Sequence, residues 1–345
     1  MGTLTRSKLF WPVMTLVVLL AVNVAVRPSF VSIRMQDGHL YGSLIDILRN
    51  GAPTLLVALG MTLVIATRGI DLSVGAVVAI SGAVACTYIS KAPDPGAVST
   101  VLVAVVLAIG VCLLLGVWNG FLVAVLGIQP IIATLILMTA GRGIAMLITN
   151  GQIITITSAP YKMIGAGYWL TLPVAILIAG AMFAGTAALT RRTALGTLVE
   201  SVGINPEASR LAGVSSRSII WTVYVFSALC AGIAGLMISS NVTAADANNN
   251  GLWIELDAIL AVVIGGTSLM GGKFSLAGTL VGAFVIQTLT TTVISVGIAP
   301  EITLVFKAIV VIIVCLLQSP VAQRALHRRR RPAASAPVPV QEVSA

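Results

Sequence analysis

Apolar runs of about 17 to 25 residues recur from one end of this chain to the other. A helix of that length crosses the ~30 Å hydrocarbon core of a bilayer. Only 9% of the 345 residues are charged, against about 25% in soluble domains. The sequence therefore predicts an all-α polytopic membrane protein. We place ten candidate transmembrane helices at residues 9–26, 51–67, 72–90, 98–126, 129–148, 166–189, 219–239, 256–271, 274–297 and 302–318.

Positive charge is unevenly divided between the connections. Of the 20 Lys and Arg residues, thirteen fall on the side of the termini, five on the other side, and Arg142 and Lys307 within spans. Because cytoplasmic loops carry the excess of positive charge, we expect both termini in the cytoplasm. Nucleic acid is excluded as a partner, since the basic residues lie between apolar runs rather than on one polar face.

Two further features concern the organisation of the chain. A transmembrane domain is predicted over residues 1–320, and a cytoplasmic tail over 321–345 that is first basic and then rich in Pro, Ala and Ser. Such a composition buries too little apolar surface to fold, so the tail is expected to be disordered. Leu40 to Leu48 is predicted to form a short amphipathic helix along the membrane interface. The run 98–126 is overlong for one straight span, and either a tilt or a break near Gly116 is expected.

The longest cytoplasmic connection, residues 190–218, is polar in a chain that otherwise has few loops. Within it a short helix is predicted, because Asn205 is a good N-cap and Pro206 suits the first helical position. Glu207 favours the positive end of the helix dipole, and Gly213 can adopt the left-handed turn that ends a helix. A helix of two turns is marginal alone. It is expected to pack on its own membrane domain and on a partner; the alternative is a plain connector with good caps.

Several motifs occur in order between residues 47 and 318, and together they resemble the sugar permeases of ATP-binding-cassette (ABC) importers, the group of the ribose and related monosaccharide permeases. Within that group the chain is most similar to galactofuranose permeases, through QDG at 36–38, IDIL at 45–48, AADANN at 244–249 and GLW at 251–253. The family motifs are GMTLVIAT at 60–67, GIDLSVG at 69–75, WNG at 118–120, IATL at 132–135, AGRG at 140–143, GINPEASRLAG at 203–213 and LDAILAVVIGGTSL at 256–269.

This resemblance implies a function and a set of partners. The chain would be a multi-pass transporter subunit of the bacterial inner membrane without enzymatic activity, and a cytoplasmic ABC ATPase would bind ATP and Mg²⁺. A periplasmic sugar-binding protein, a second permease copy or paralogue and membrane lipid would be its other partners. No cofactor or metal is expected in this chain, where Gly272-Lys273 lacks the rest of a phosphate loop. The coupling helix that contacts the ATPase would contain Gly203, Asn205, Pro206, Glu207, Ala208, Arg210, Leu211 and Gly213.

Polar residues at membrane depth are costly, so each is a candidate for the transport pathway or its gate. Each also has a structural alternative: Asp71 could pair with Arg68 or cap the third span, Arg142 could brace backbone carbonyls, and Asn119 could bridge helices. Lys307 is expected to extend toward the interface. The candidates at membrane depth are Asp71, Trp118, Asn119 and Arg142, and Trp118 could either pack or stack on a sugar. Asp246 and Asn248 lie in the polar outer loop, which suits a sugar, a binding-protein surface or plain solvation. Asp257 begins the eighth span at its outer end, as an interfacial residue or part of an outer gate.

Other classes of protein fit the sequence less well. A branched-chain amino-acid permease has the same broad fold class but differs at the motifs above. An ion-coupled secondary carrier is expected to use buried acidic residues or histidines in several spans, yet His39 and His327 both lie outside them. A membrane enzyme would need an assembled nucleophile, metal or acid–base set. The four cysteines lie in apolar runs and are predicted to be core residues. The sugar, its ring form and the composition of the permease dimer stay open.

Overall fold

The structure is a computed structural model, which describes residues 9–36, 38–297 and 302–318. Over these ranges the chain is almost entirely helical. The α-helices are α1 (Phe10–Val26), α2 (Ser43–Ala66), α3 (Val74–Lys91), α4 (Val98–Gly120), α5 (Pro130–Ile148), α6 (Ala159–Gly165), α7 (Val174–Arg192), α8 (Leu195–Ile204), α9 (Pro206–Leu211), α10 (Ser216–Val242), α11 (Ile254–Ile264), α12 (Leu276–Val296) and α13 (Ile302–Gln318).

Three short antiparallel strand pairs lie between the helices. Strands β1 (Arg34–Gln36) and β2 (His39–Tyr41) form a hairpin, with Met35 opposite Leu40. Strand β3 (Ile154–Thr155) pairs with β6 (Ala244–Ala245), and β4 (Tyr168–Trp169) with β5 (Leu172–Pro173). The rings of His39 and Tyr168 stack with centroids 4.6 Å apart, so the first hairpin packs against the third pair.

All ten predicted spans coincide with a helix, which confirms the all-α polytopic class. Seven helices of the described chain are long and apolar enough to cross a membrane: α2, α3, α4 with the turn that follows it, α5, α7, α10 and α12. Helices α1 and α13 have 17 residues each, and α11 has 11. At 1.5 Å per residue α11 is about 16 Å long, roughly half the thickness of the hydrocarbon core. The predicted tail, 321–345, lies outside the described residues.

Two local predictions were wrong. The segment Leu40 to Leu48 is no separate interfacial helix, because α2 runs without interruption from Ser43 to Ala66 and its Ile45 and Ile47 are already buried. The helix α4 does not break at Gly116, which instead lets α10 approach closely; a Cβ there would lie 2.9 Å from the Cα of Val225. The irregularity comes one turn later, as a π-helical turn over Phe121–Val125.

The core of the bundle lies around α2. In its most apolar 18 residues 78% are buried, against 28% in α4 and 17% in α7. Helix α2 packs against α10, α11, α12 and α7, and α10 also packs against α3 and α4. The outer faces of α4, α5 and α7 carry large exposed apolar side chains, as lipid-facing or subunit-facing helices do. The three described cysteines, Cys86, Cys112 and Cys230, are buried and free, as predicted for core residues.

Candidate coupling helix and buried polar networks

Helix α9 has the N-terminal cap that the sequence predicts. The side-chain oxygen of Asn205 accepts hydrogen bonds from the backbone N–H groups of Glu207 (3.1 Å) and Ala208 (3.0 Å), and Pro206 occupies the first helical position. These contacts satisfy two of the donors that every helix N-terminus leaves unpaired. The helix therefore forms at the predicted residues, although it has only six.

The C-terminal end of α9 is closed by a Schellman motif. Gly213 has a φ of 84°, its N–H donates to Arg210 O at 3.0 Å, and Val214 N–H donates to Ser209 O at 2.9 Å. The hydroxyl of Ser216, at the start of α10, donates to Pro206 O at 2.8 Å. A six-residue helix is thus fixed at both ends and tied to the long helix α10.

The outer surface of α9 combines charge with apolar area. Glu207 and Arg210 form an ion pair at 2.6 Å, and both side chains are about two-thirds exposed. Hydrogen bonding and charge attraction from Arg210 lower the pKa of the Glu207 carboxyl and raise that of Arg210 in return. Leu211 is 78% exposed. This surface combines charged and apolar groups, as docking sites do. The contact with an ATPase subunit stays a prediction.

Helix α8 was missed by the sequence interpretation, which treated residues 190–218 as one loop with a single short helix. Leu195, Leu198, Val199 and Val202 have the i, i+3, i+4, i+7 spacing of one helix face, and this signal could have found it. Val199 is buried in a cluster with residues of α2 and α10. Helix α8 therefore anchors α9 to the membrane domain.

One of the two structural predictions for Asp71, an ion pair with Arg68, is wrong. Its carboxylate accepts hydrogen bonds from the backbone N–H of Ser73 (3.1 Å), the hydroxyl of Ser73 (2.6 Å) and the hydroxyl of Ser227 (2.9 Å). Ser73 is the residue before α3, so Asp71 holds the start of that helix, close to the predicted capping role. Arg68 has a left-handed backbone, with φ 65°, and its guanidinium binds carbonyl oxygens elsewhere.

Asn119 joins the same group of polar residues and bridges helices as predicted. Its Nδ2 donates to the Ser73 hydroxyl at 2.8 Å. We call Asp71, Ser73, Asn119 and Ser227 the Asp71 network; it links α3, α4 and α10, and all four residues are buried. Its neighbour Trp118 is 52% exposed on the outside of α4 and takes no part in the network's hydrogen bonds. The network is a structural brace, whereas Trp118 is accessible to lipid, a second subunit or solute.

A second polar group joins Arg142, in the middle of α5, to the loop after β6. Arg142 donates to Ala247 O (3.0 Å) and Asn250 O (2.7 Å), which is the predicted bracing of backbone carbonyls. Asp246 accepts from the N–H groups of Asn248 (2.9 Å) and Asn249 (3.1 Å). Burial alone would raise the pKa of Asp246, but the bonds from the asparagines and the charge of Arg142 lower it below its usual value. The structure thus brings together three candidates that sequence reasoning gave separately.

Glu255 was not among the predicted site residues, although it is more buried than most of them, with 3% of its surface exposed. Its carboxylate lies against the start of α3, so close that a Cβ on Gly75 would be 2.3 Å from Oε2. In the described part of the chain Oε2 has no hydrogen-bond partner. The N-terminal end of a helix favours negative charge. The Glu255 carboxylate therefore faces the N-terminal end of α3, two residues beyond Ser73 of the Asp71 network.

Asp257 lies apart from both groups. Its carboxylate binds Lys307 Nζ at 2.8 Å, which joins α11 to α13. The side chain of Lys307, which was expected to extend toward the interface, ends on this carboxylate of the neighbouring helix and is 10% exposed.

Comparison with known proteins gives the chain a family. Residues 43–315 match the model of a family described as "Branched-chain amino acid transport system / permease component". The galactofuranose transporter permease protein YtfT of Escherichia coli (strain K12) is 49% identical over 92% of this chain and 93% of its own length. The fructose import permease protein FruF of Bifidobacterium longum (strain NCC 2705) is 41% identical, over 92% and 89%.

A third relative, the ribose import permease protein RbsC of Haemophilus influenzae, is 36% identical over 87% of this chain and 90% of its own length. No solved structure matches the chain. The family model spans most of the chain, and the motifs identified in the sequence fall within the aligned region. The chain therefore belongs to the family of permease components of ABC transport systems, on the branch that resembles its monosaccharide permeases.

Proposed function

We propose that this chain is the membrane-spanning permease of an ABC importer that carries a monosaccharide, galactofuranose or a close relative, into a bacterial cell. The observation that carries the proposal is the 49% identity, over nearly the whole length of both proteins, to a galactofuranose transporter permease. Fructose and ribose permeases follow at lower identity, so a sugar is favoured over a branched-chain amino acid despite the description of the family model.

The contacts between connections support a chain that has both termini in the cytoplasm and crosses the membrane ten times. The loop before the short helix α11 completes that crossing by packing along α3. The predicted inner connections meet one another, since the backbone N–H of Gly272 donates to Ala66 O at 2.8 Å. The predicted outer connections also meet one another, since β3 pairs with β6. Leu40 N–H donates to Thr171 O at 3.0 Å, in the strand pair that precedes α7. A bundle that sorts its loops in this way has two faces, as a membrane protein must. In this orientation α9 lies in the cytoplasm and the loop after β6 enters the bundle from the outer side.

Energy would enter from separate subunits. Helix α9 presents an exposed ion pair and an exposed leucine to a cytoplasmic ATPase, which would bind ATP and Mg²⁺. A second permease copy or paralogue would complete the pathway, and a periplasmic sugar-binding protein would deliver the sugar to the outer face. The exposed faces of α4, α5 and α7 supply the area that lipid and the second copy need.

The proposal is tested by reconstituting the chain in vesicles with its ATPase and its binding protein, and by measuring uptake of labelled sugars. We expect ATP-dependent accumulation of galactofuranose or a related monosaccharide, and none of leucine. Accumulation of leucine would overturn the substrate class. Uphill uptake by the permease alone would overturn the ABC mechanism and favour an ion-coupled carrier.

The coupling role of α9 has its own test. Replacing both Glu207 and Arg210 with Ala removes the charged surface but keeps the cap at Asn205, so the helix should stay folded. We expect sugar uptake to fall while membrane insertion is unchanged. The matched control replaces Asp46 and Arg49, another pair three residues apart, which lies on the opposite face. Unchanged uptake and unchanged co-purification with the ATPase in the Glu207 and Arg210 variant would contradict the role of α9.

A further inference from the structure

Three connections of the inner face meet at one point. Ala66, the last residue of α2, accepts a hydrogen bond from Gly272 N–H at 2.8 Å. Gly203, in the last turn of α8, packs so tightly here that a Cβ would lie 1.8 Å from Ala66 O and 2.7 Å from Gly272 N. We call Ala66, Gly203 and Gly272 the inner junction. It joins the end of α2, the helix before α9, and the turn between α11 and α12.

Arg68 spans this junction with its side chain. Its Nε donates to Met270 O at 3.2 Å and its Nη2 donates to Ile204 O at 2.5 Å. Its aliphatic stem crosses Gly271, where an added Cβ would lie 2.4 Å from Arg68 Cγ. A guanidinium carries several N–H donors in one rigid plane, so it can hold two carbonyls at a fixed separation. Arg68 therefore fixes the distance between the end of α8 and the turn at residues 265–275.

The two carbonyls belong to segments that lead to different parts of the protein. Ile204 directly precedes Asn205, the cap of α9, so a displacement of α9 reaches the Ile204 carbonyl across a single peptide bond. Met270 lies in the turn that joins α11 to α12. Arg68 itself is three residues before Asp71, whose network holds the start of α3. The Arg68 side chain thus connects the proposed coupling helix with the turn before α3 and with the turn between α11 and α12.

The backbone conformation of Arg68 indicates that this residue does more than reverse the direction of the chain. Its φ of 65° is left-handed, a conformation that a residue with a long side chain adopts at a conformational cost and that glycine adopts freely. A turn that only needed to reverse the chain would be better served by glycine. The residue at this position instead supplies two hydrogen bonds to separate segments.

We propose that Arg68 is the positioning residue that transmits movement of α9 to the membrane helices. This inference rests on the proposed function. Arg68 joins α9, through Ile204, to the turns before α3 and α12, so the three segments move together when the ATPase subunits close. A coupling free energy carried by such contacts corresponds to a change of about 5- to 150-fold in an equilibrium.

The test uses Arg68→Gly, which removes the guanidinium and suits the left-handed backbone, and Arg68→Lys, which keeps the charge but cannot hold two carbonyls in one plane. Asn150→Gly is the matched control. Asn150 is also left-handed, with φ 52°, but lies after α5, away from the junction. Each variant is reconstituted with the ATPase and binding protein, and ATP hydrolysis and sugar uptake are measured in the same vesicles.

We expect the ATP hydrolysed per sugar imported to rise at least about fivefold in Arg68→Gly, the lower end of the coupling range, with partial recovery in Arg68→Lys and no change in Asn150→Gly. A purely structural role would lower the thermal midpoint and leave this ratio unchanged. A ratio equal to that of the wild type in Arg68→Gly would overturn the inference. If the wild type itself imports no sugar with ATP, the proposed function fails instead, so the two failures are distinguishable.

Discussion

Substituting Gly203 with Ala should be among the most damaging single-methyl changes in this protein. The new Cβ would lie 1.8 Å from Ala66 O, and an ordinary contact begins near 3.4 Å, so α8 and the end of α2 must separate by about 1.6 Å. Neither neighbour is the flexible end of a side chain, because both Ala66 O and Gly272 N are backbone atoms. The strain therefore cannot relax by a change of rotamer.

The size of the effect follows from two contributions. Forcing extra volume into a packed site costs about 1–3 kcal/mol. Moving Ala66 O away also breaks its hydrogen bond with Gly272, worth about 1 kcal/mol. We expect a loss of about 2–4 kcal/mol in the free energy of unfolding. A lesser loss in Gly203→Ala would mean that α8 rotates away, and α9 would then shift with it.

Thermal unfolding in detergent, followed by circular dichroism, measures the effect against a matched variant. Gly185→Ala adds the same methyl in α7, where no atom lies within 4 Å of the new Cβ. Because alanine is the better helix former, this control should be neutral or stabilising by up to about 1 kcal/mol. Equal midpoints for Gly203→Ala and the wild type would refute the close approach at the inner junction.

Three further substitutions test single contacts. Asn205→Ala should weaken α9 by about 1 kcal/mol, seen as roughly fivefold faster amide exchange at its first turn; unchanged exchange would contradict the cap. Asp71→Ala leaves three buried donors without an acceptor and should lower the thermal stability by about 3 kcal/mol, whereas a midpoint near the wild type would mean that water replaces the carboxylate. Lys307→Met should destabilise by about 2 kcal/mol through the unpaired Asp257, and adding Asp257→Leu should restore most of that loss; a double variant as unstable as the single one would refute the pairing.

The features that the sequence predicted well are local ones. A helix cap depends on residues within four positions of each other, so Asn205, Pro206 and Gly213 could be identified by type and spacing alone. The ten apolar runs each became a helix for the same reason, since length and composition decide whether a segment is helical in a membrane. Boundaries were less accurate where short strands intervene, as at residues 168–173 before α7.

The features that the sequence could not predict depend on backbone groups far apart in the chain. Asp71 is the carboxylate nearest to Arg68 in sequence, which made an ion pair the natural expectation. The actual partners are the carbonyls of Ile204 and Met270, 136 and 202 residues away. Every residue has a carbonyl, so no residue type marks these two as acceptors. The buried position of Glu255 was missed for a related reason, because the group it faces is the start of a distant helix.

The buried charges can be understood from where helices begin. Helix α11 is too short to cross the hydrocarbon core, and it starts with Glu255 and Asp257 in its first turn. Helix α3 starts beside Asp71 and against the Glu255 carboxylate. A helix N-terminus inside a bundle exposes unpaired N–H groups and a positive dipole end to a medium of low dielectric, and a carboxylate compensates both. The main role of Asp71 and Glu255 is therefore to stabilise the start of α3.

It follows that sugar contacts are better sought elsewhere. A residue already committed to holding a helix start, such as Asp71, cannot exchange its partners for sugar hydroxyls without releasing that helix. Trp118 is under no such constraint, because it is half exposed and makes none of the network's hydrogen bonds. Aromatic rings present apolar faces suited to the apolar face of a sugar ring. Among the predicted pathway residues, Trp118 is therefore the one whose replacement should change sugar uptake while leaving the thermal stability of the bundle intact.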